Sequence, residues 1–167
     1  MKTDNELAGQ RALVTGGGRG IGRAIALALS EAGARVAVAA RTADQVDDTL
    51  QMLRAGGAEA IGLEIDVADS GSVTTAMEQL AKQWGGVDIL VNNAGVLGPI
   101  GRTDQIEADQ WLQTVQTNLG GCFLCTHACL PGMIDQGAGK IINLSGGGAS
   151  SARPLFSAYA ASKAAIV

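Results

Sequence analysis

Tyr159 and Lys163 stand four residues apart in the run Ser157-Ala158-Tyr159-Ala160-Ala161-Ser162-Lys163, and on a helix that spacing puts both on one face. A phenol, with an ordinary pKa near 10, exchanges protons slowly at neutral pH. An ammonium within about 4 to 6 Å favours the phenolate by roughly one to three pKa units, and Lys163 is placed to supply that charge. Taken alone, the pair reads more simply as an exposed structural contact. Near the other end of the chain an apolar run, Arg11 to Thr15, passes directly into Gly16-Gly17-Gly18-Arg19-Gly20-Ile21-Gly22. Glycines between a strand and a helix let backbone approach a pyrophosphate at the helix N-terminus, although such a loop by itself reads equally as a turn. A phosphate loop of the Lys-Ser/Thr kind is excluded, because Arg23-Ala24 stands where those residues belong. A strict G-x-G-x-x-G does not fit either.

Positioning such groups requires a framework, and the chain supplies one by alternating short apolar runs with stretches of helical period. Strands are expected at Arg11 to Thr15, Arg35 to Ala40, Ala60 to Ile65, Val87 to Asn92 and Lys140 to Leu144. Helices are expected at Gly22 to Ala32, Ala43 to Ala55, Ser70 to Trp84, about Ala108 to Leu130, and from Ser157 onward, with Ser70 as an N-cap and Gly33, Gly56 and Gly85 at C-terminal caps. Helical crossovers between strands favour a doubly wound α/β parallel sheet.

The 167 residues are 47% hydrophobic and 17% charged, enough apolar material for the core of one domain and too much for a disordered chain. With 12 basic residues against 16 acidic ones the net charge is −4, and aromatics make up only 3%. No basic run is present, so neither a nucleic acid nor a membrane surface is an expected partner. The polar start and the lack of a long apolar stretch predict a cytoplasmic protein without a leader or a membrane span. Cys122, Cys125 and Cys129 form one helical stripe from which His127 departs, which reads as thiol packing rather than a metal site. Trp84 and Trp111 read as packing residues.

Thr15 to Gly22 in the pattern T-G-x-x-x-G-x-G, Asp66-Val67, Asn92-Asn93-Ala94-Gly95, Asn118, Asn143-Leu144-Ser145 and Tyr159-x-x-x-Lys163 follow one another along nearly the whole chain. In these motifs and their order the chain resembles the short-chain dehydrogenase/reductase family, classical type. The resemblance implies a Rossmann sheet of order 3-2-1-4-5, with the family's later C-terminal strands absent, and hydride transfer between a nicotinamide cofactor and a ketone or secondary alcohol. It places the dinucleotide against Thr15, Gly16, Gly18, Arg19, Gly20, Ile21 and Gly22, with Asp66 accepting from the adenine amino group and Val67, Asn92, Ala94 and Gly95 lining the site. Asp66 reads otherwise as a capping residue after a strand. By the same resemblance Tyr159 exchanges a proton with the substrate oxygen, Lys163 also holds the nicotinamide ribose, and Asn118 anchors a relaying water. The blander reading of Asn118 is a mid-helix amide bonded to backbone.

One position departs from the family. Its substrate-orienting serine falls three residues beyond Asn143 and thirteen before Tyr159, and both counts land on Gly146. Ser145 is the adjacent candidate for that role, with Ser150 and Ser151 behind it. Cofactor choice turns on Ala39-Ala40-Arg41, where NAD users present an acid for the ribose hydroxyls. Here Arg41, with Arg19, offers guanidinium groups suited to a 2′-phosphate, so NADP(H) is favoured over NAD(H). Substrate would lie between Val96 to Arg102 and Gly146 to Phe156.

The last helix reaches Val167 without a stop signal, so the chain reads as a single dinucleotide-binding domain over 1–167, incomplete at its C-terminus. A homo-oligomer is expected. The rival expectation is a dinucleotide-binding, catalytically impaired fragment or pseudoenzyme, favoured by the glycine at the serine position.

Overall fold

The computed structural model describes residues 5–167, and Met1 to Asp4, part of the polar start, lie outside them. Five strands, β1 (Arg11–Thr15), β2 (Arg35–Ala40), β3 (Ala60–Glu64), β4 (Ile89–Asn92) and β5 (Lys140–Asn143), form one parallel sheet in the order β3-β2-β1-β4-β5. That is the expected order. The connecting helices are α1 (Gly20–Glu31), α2 (Ala43–Ala55), α3 (Ser70–Trp84), α4 (Ala108–Val115) and α5 (Gly121–Asp135), and α6 (Ser157–Ala164) follows β5.

Successive strand residues face opposite sides of the sheet, and here both sides are buried. Ala12, Val14, Val36, Val38, Ile89 and Val91 turn toward one core with Ala26, Val46, Leu50 and Leu53 of α1 and α2. Leu13, Ala37, Ala39 and Leu90 turn the other way, toward Val73, Ala76, Leu80, Cys125 and Cys129 of α3 and α5. Near-continuous apolar runs are what burial on two faces demands. At the sheet's margin β5 is more open, with Ile142 exposed.

Several boundaries differ from expectation. Asp69, not Ser70, caps α3, its carboxylate accepting from Gly71 N at 2.9 Å. An ionised oxygen is the better acceptor at the positive end of a helix. At the end of α2, Gly56 stands at the C-cap as expected, and the left-handed residue is the next one, Gly57 (φ 85°). The predicted long helix from Ala108 is interrupted by a π-helical turn over Gln116–Gly120, and α5 then runs through Pro131 to Asp135. Pro131 lies on the exposed face, while Met133 is buried in the core beside α3 and holds the last turn. β3, β4 and β5 are each shorter than expected, ending at Glu64, starting at Ile89 and ending at Asn143.

The thiols match the packing reading. Cys125 and Cys129 are buried and free, and burial pushes each thiol up to about 12, which keeps them protonated and inert. His127 faces outward, stacked on Phe123. Trp84 is buried, and Trp111 donates to Ser157 Oγ at 3.1 Å, tying α4 to α6. No group of metal-ligating side chains, and no helix long and apolar enough to cross a membrane, occurs among the described residues.

Candidate active site

The glycine run leaves β1 at its C-terminal end and starts α1, whose first N–H groups have no partner within the helix. Gly16 must be glycine: its φ is +64°, and a Cβ there would stand 2.9 Å from Ala94 Cα. Gly22 is equally confined, since a Cβ would collide with Gly16 O and the Asn93 amide. The loop carbonyls are held from behind. Arg23 Nη2 donates to Gly18 O at 2.5 Å, and Thr49 Oγ1 of α2 lies 3.1 Å from the same oxygen. Neither residue carries a signal readable from local sequence.

A cleft of roughly 390 Å³ opens over this loop. Gly16, Gly18, Arg19, Gly20, Ile21, Gly22, Arg41, Asp66, Val67, Ala94 and Gly95, all expected to hold a dinucleotide, line it. Arg19 and Arg41 are exposed at its rim, and no carboxylate among the described residues lies within ion-pair distance of either. Asp66 is half-buried and borders the cleft; one of its oxygens accepts from Ala68 N at 3.0 Å, closing a turn before α3 rather than capping the helix, whose cap is Asp69. With the start of α1 on one side and Gly16, Ala94 and Gly95 along its lining, the cleft can receive a dinucleotide.

Two expected lining residues are elsewhere. Asn92 turns to the opposite side, toward α5 and β5, where its amide donates to Asn143 Oδ1 (2.9 Å) and Thr126 Oγ1 (3.1 Å). Strand alternation explains the correction, because the next residue, Asn93, is the one that faces the cleft. Asn93 Nδ2 donates to Thr15 O at 2.8 Å. Thr15 is a brace rather than a lining residue: its hydroxyl accepts from Asn93 N and Ala94 N, both at 3.1 Å.

Beyond Gly95 lie Asn118, Lys163 and Tyr159, the residues expected to carry the chemistry. Asn118 is buried within the π-helical turn; its Oδ1 accepts from Val96 N (2.8 Å) and its Nδ2 donates to Val96 O and Ser162 Oγ, both at 2.9 Å. The amide thus pins the loop after β4 to α6. Lys163, buried, donates to Leu144 O at 2.6 Å, with its Nζ 5.8 Å from the centre of the Tyr159 ring. Burial pushes the Lys163 ammonium below the ordinary lysine value. A Cβ built on Gly95 would lie 3.7 Å from that Nζ, which places the lysine at the end of the cleft.

Ser145 is not brought to the phenol. Its hydroxyl donates to Lys163 O at 3.2 Å, while Gly146 faces Tyr159, so closely that a Cβ there would stand 2.5 Å from the phenolic oxygen. Neighbouring residues of an extended segment point apart, and the position facing the phenol carries no side chain.

The sequence profile of the short chain dehydrogenase family matches residues 10–167. The chain belongs to that family. It is 39% identical over 164 residues to a short chain dehydrogenase of Pseudocercospora fijiensis, covering 96% of this chain but 52% of the relative. Among solved structures, an NAD+-bound xylitol dehydrogenase superposes with a TM-score of 0.93 at 30% identity, covering 96% of this chain and 62% of that one. An actinorhodin polyketide ketoreductase with NADPH superposes with a TM-score of 0.89 at 37% identity, covering 93% and 60%. The chain therefore spans between half and two thirds of the length of these relatives.

Proposed function

We propose that this chain binds NADP(H) in the cleft above the glycine loop and interconverts a ketone and a secondary alcohol at Tyr159. The observation that carries the reading is the buried Lys163 one helical turn from Tyr159, at the end of a dinucleotide-shaped cleft. A bound nicotinamide would supply or accept the hydride. The glycine loop and the start of α1 would hold the pyrophosphate, and Arg41 with Arg19 the 2′-phosphate. Support for the phosphate reading comes from two unpaired guanidinium groups where an acid would serve NAD.

Lys163 then does two things. Its ammonium binds ribose hydroxyls and stabilises a developing phenolate, and its bond to Leu144 O fixes its direction. In the reductive direction Tyr159 passes its hydroxyl proton to the carbonyl oxygen as the carbonyl carbon gains the hydride; oxidation reverses both transfers. Asn118 positions α6 through Ser162, whose hydroxyl in turn donates to Tyr159 O at 2.8 Å.

A second reading, dinucleotide binding without turnover, is favoured by Gly146 at the orienting position and by Ser145 being engaged elsewhere. Tyr159→Phe separates the two. The ring stays and the proton donor goes, so ketone-dependent NADPH oxidation is expected to fall about 10²- to 10⁴-fold while NADPH affinity is kept. A wild-type chain that binds NADPH without oxidising it supports the second reading. Retention of more than about a tenth of the rate would move the acid to another residue.

A further inference from the structure

Residues 153–156 form a tight turn closed by Phe156 N donating to Arg153 O at 3.3 Å, with Pro154 in its second position. The third residue, Leu155, has φ +69°, the one non-glycine with positive φ among the described residues. Turns of this kind ordinarily take glycine there, and leucine in a left-handed conformation is strained. The loop after β4 holds it in place through Gly101 N, which donates to Leu155 O at 2.9 Å. The consequence is a side-chain stack. The Arg153 guanidinium lies 4.2 Å from the Phe156 ring centre and 5.0 Å from that of Tyr159.

Arg153 is half-buried, and among the described residues no carboxylate lies within ion-pair distance of it. The nearest arginine on the facing loop, Arg102, is already paired with Asp104 at 3.0 Å. Gly146 to Gly148 pack closely against this cluster with no side chains of their own: a Cβ on Gly147 would come 3.1 Å from Arg153 Nη1, and one on Gly148 would meet Ala160. A cation is thus held over the Tyr159 ring, with glycine backbone rather than charged side chains beside it. Its planar fork of donors matches a carboxylate in two parallel hydrogen bonds.

Resting on the reading of Tyr159 as the proton donor, we propose that Arg153 is a specificity-determining residue that receives the carboxylate of an oxo acid or hydroxy acid, with the reacting oxygen at Tyr159 a few bonds away. The stacked rings orient the fork and limit its freedom, so little ordering remains when the carboxylate arrives. A neutral ketone of the same size would leave the guanidinium without a partner.

The test compares acetoacetate with its methyl ester by calorimetric titration, with saturating NADP+ so that no reduction occurs, and again without nucleotide. Wild-type chain is expected to bind the acid at least tenfold more tightly than the ester. Arg153→Met should erase the preference by weakening the acid alone, and Arg153→Lys should restore part of it. Circular dichroism and NADPH affinity of Arg153→Met should match wild type. Equal binding of acid and ester by wild type, binding of neither, or a preference that survives in Arg153→Met each overturns the proposal. Loss of NADPH binding in the wild-type chain would instead sink the nucleotide reading, while the arm without nucleotide still scores Arg153.

Discussion

The two ends of the sheet use the same residue type in opposite ways. At the N-terminal ends of the strands, Arg11 is fully occupied: its Nε and Nη2 donate to Asp88 at 2.8 and 2.7 Å, its Nη1 to Trp84 O at 3.0 Å and its Nη2 also to Gln136 Oε1 at 2.8 Å. The clamp joins the start of β1 and β4 to the ends of α3 and α5. At the C-terminal ends, Arg19 and Arg41 at the cleft and Arg153 beside the phenol have no carboxylate partner among the described residues. A paired arginine is spent on stability, whereas unpaired ones with glycine beside them can bind anions. In open α/β sheets ligands do bind outside the carboxyl ends of the strands.

The contrast is sharpened first at the catalytic end. Lys163→Ala removes both the charge beside the phenol and a ribose contact, so turnover is expected to fall about 10²-fold or more and NADPH to bind more weakly; steady-state kinetics and a fluorescence titration read the two losses. Loss of turnover alone would confine the lysine to the proton step.

At the opposite end, Asp88→Ala is expected to destabilise the fold by about 1 to 2 kcal/mol and leave NADPH affinity unchanged. Arg11 holds the Asp88 carboxyl below the usual carboxylate range. A lowered folded-state pKa contributes stability above the unfolded value near 4, and that contribution disappears as pH falls through the folded value. Wild-type and variant melting temperatures should therefore differ at neutral pH and converge in strong acid; a gap that persists there would assign the effect to packing.

The smallest effect belongs to Ser145→Ala, whose hydroxyl bonds Lys163 O rather than the phenol. Turnover should change less than about tenfold, since one neutral hydrogen bond contributes about 1 kcal/mol. A larger loss in the same kinetic assay would bring the serine back to the substrate oxygen.

How far these features were legible follows from their physical origin. The glycine loop and the apolar strands were readable because local sequence dictates them: burial on two faces demands continuous apolar runs, and the loop's φ values and close contacts demand glycine, whereas the strand order came from the family resemblance. Which asparagine faced the cleft was not, because Asn92 and Asn93 differ only in where the strand ends. The π-helical turn was also invisible. Gln116-Thr117-Asn118-Leu119-Gly120 holds no proline, and the turn goes with the hydrogen bonds that commit Asn118 to Val96 and Ser162, residues 22 and 44 positions away. Such insertions in helices are frequent at functional sites. The Arg153 stack depends on a leucine in a glycine-like conformation, which no local rule predicts.

Selection of a phosphorylated dinucleotide by the arginines at the C-terminal end of the sheet is tested most directly by titrating NADPH and NADH against wild-type chain and Arg41→Ala. NADPH should bind wild type more tightly than NADH, and the substitution should weaken NADPH roughly ten- to a hundredfold while barely changing NADH. Equal losses for both cofactors, or no preference in the wild type, would contradict it.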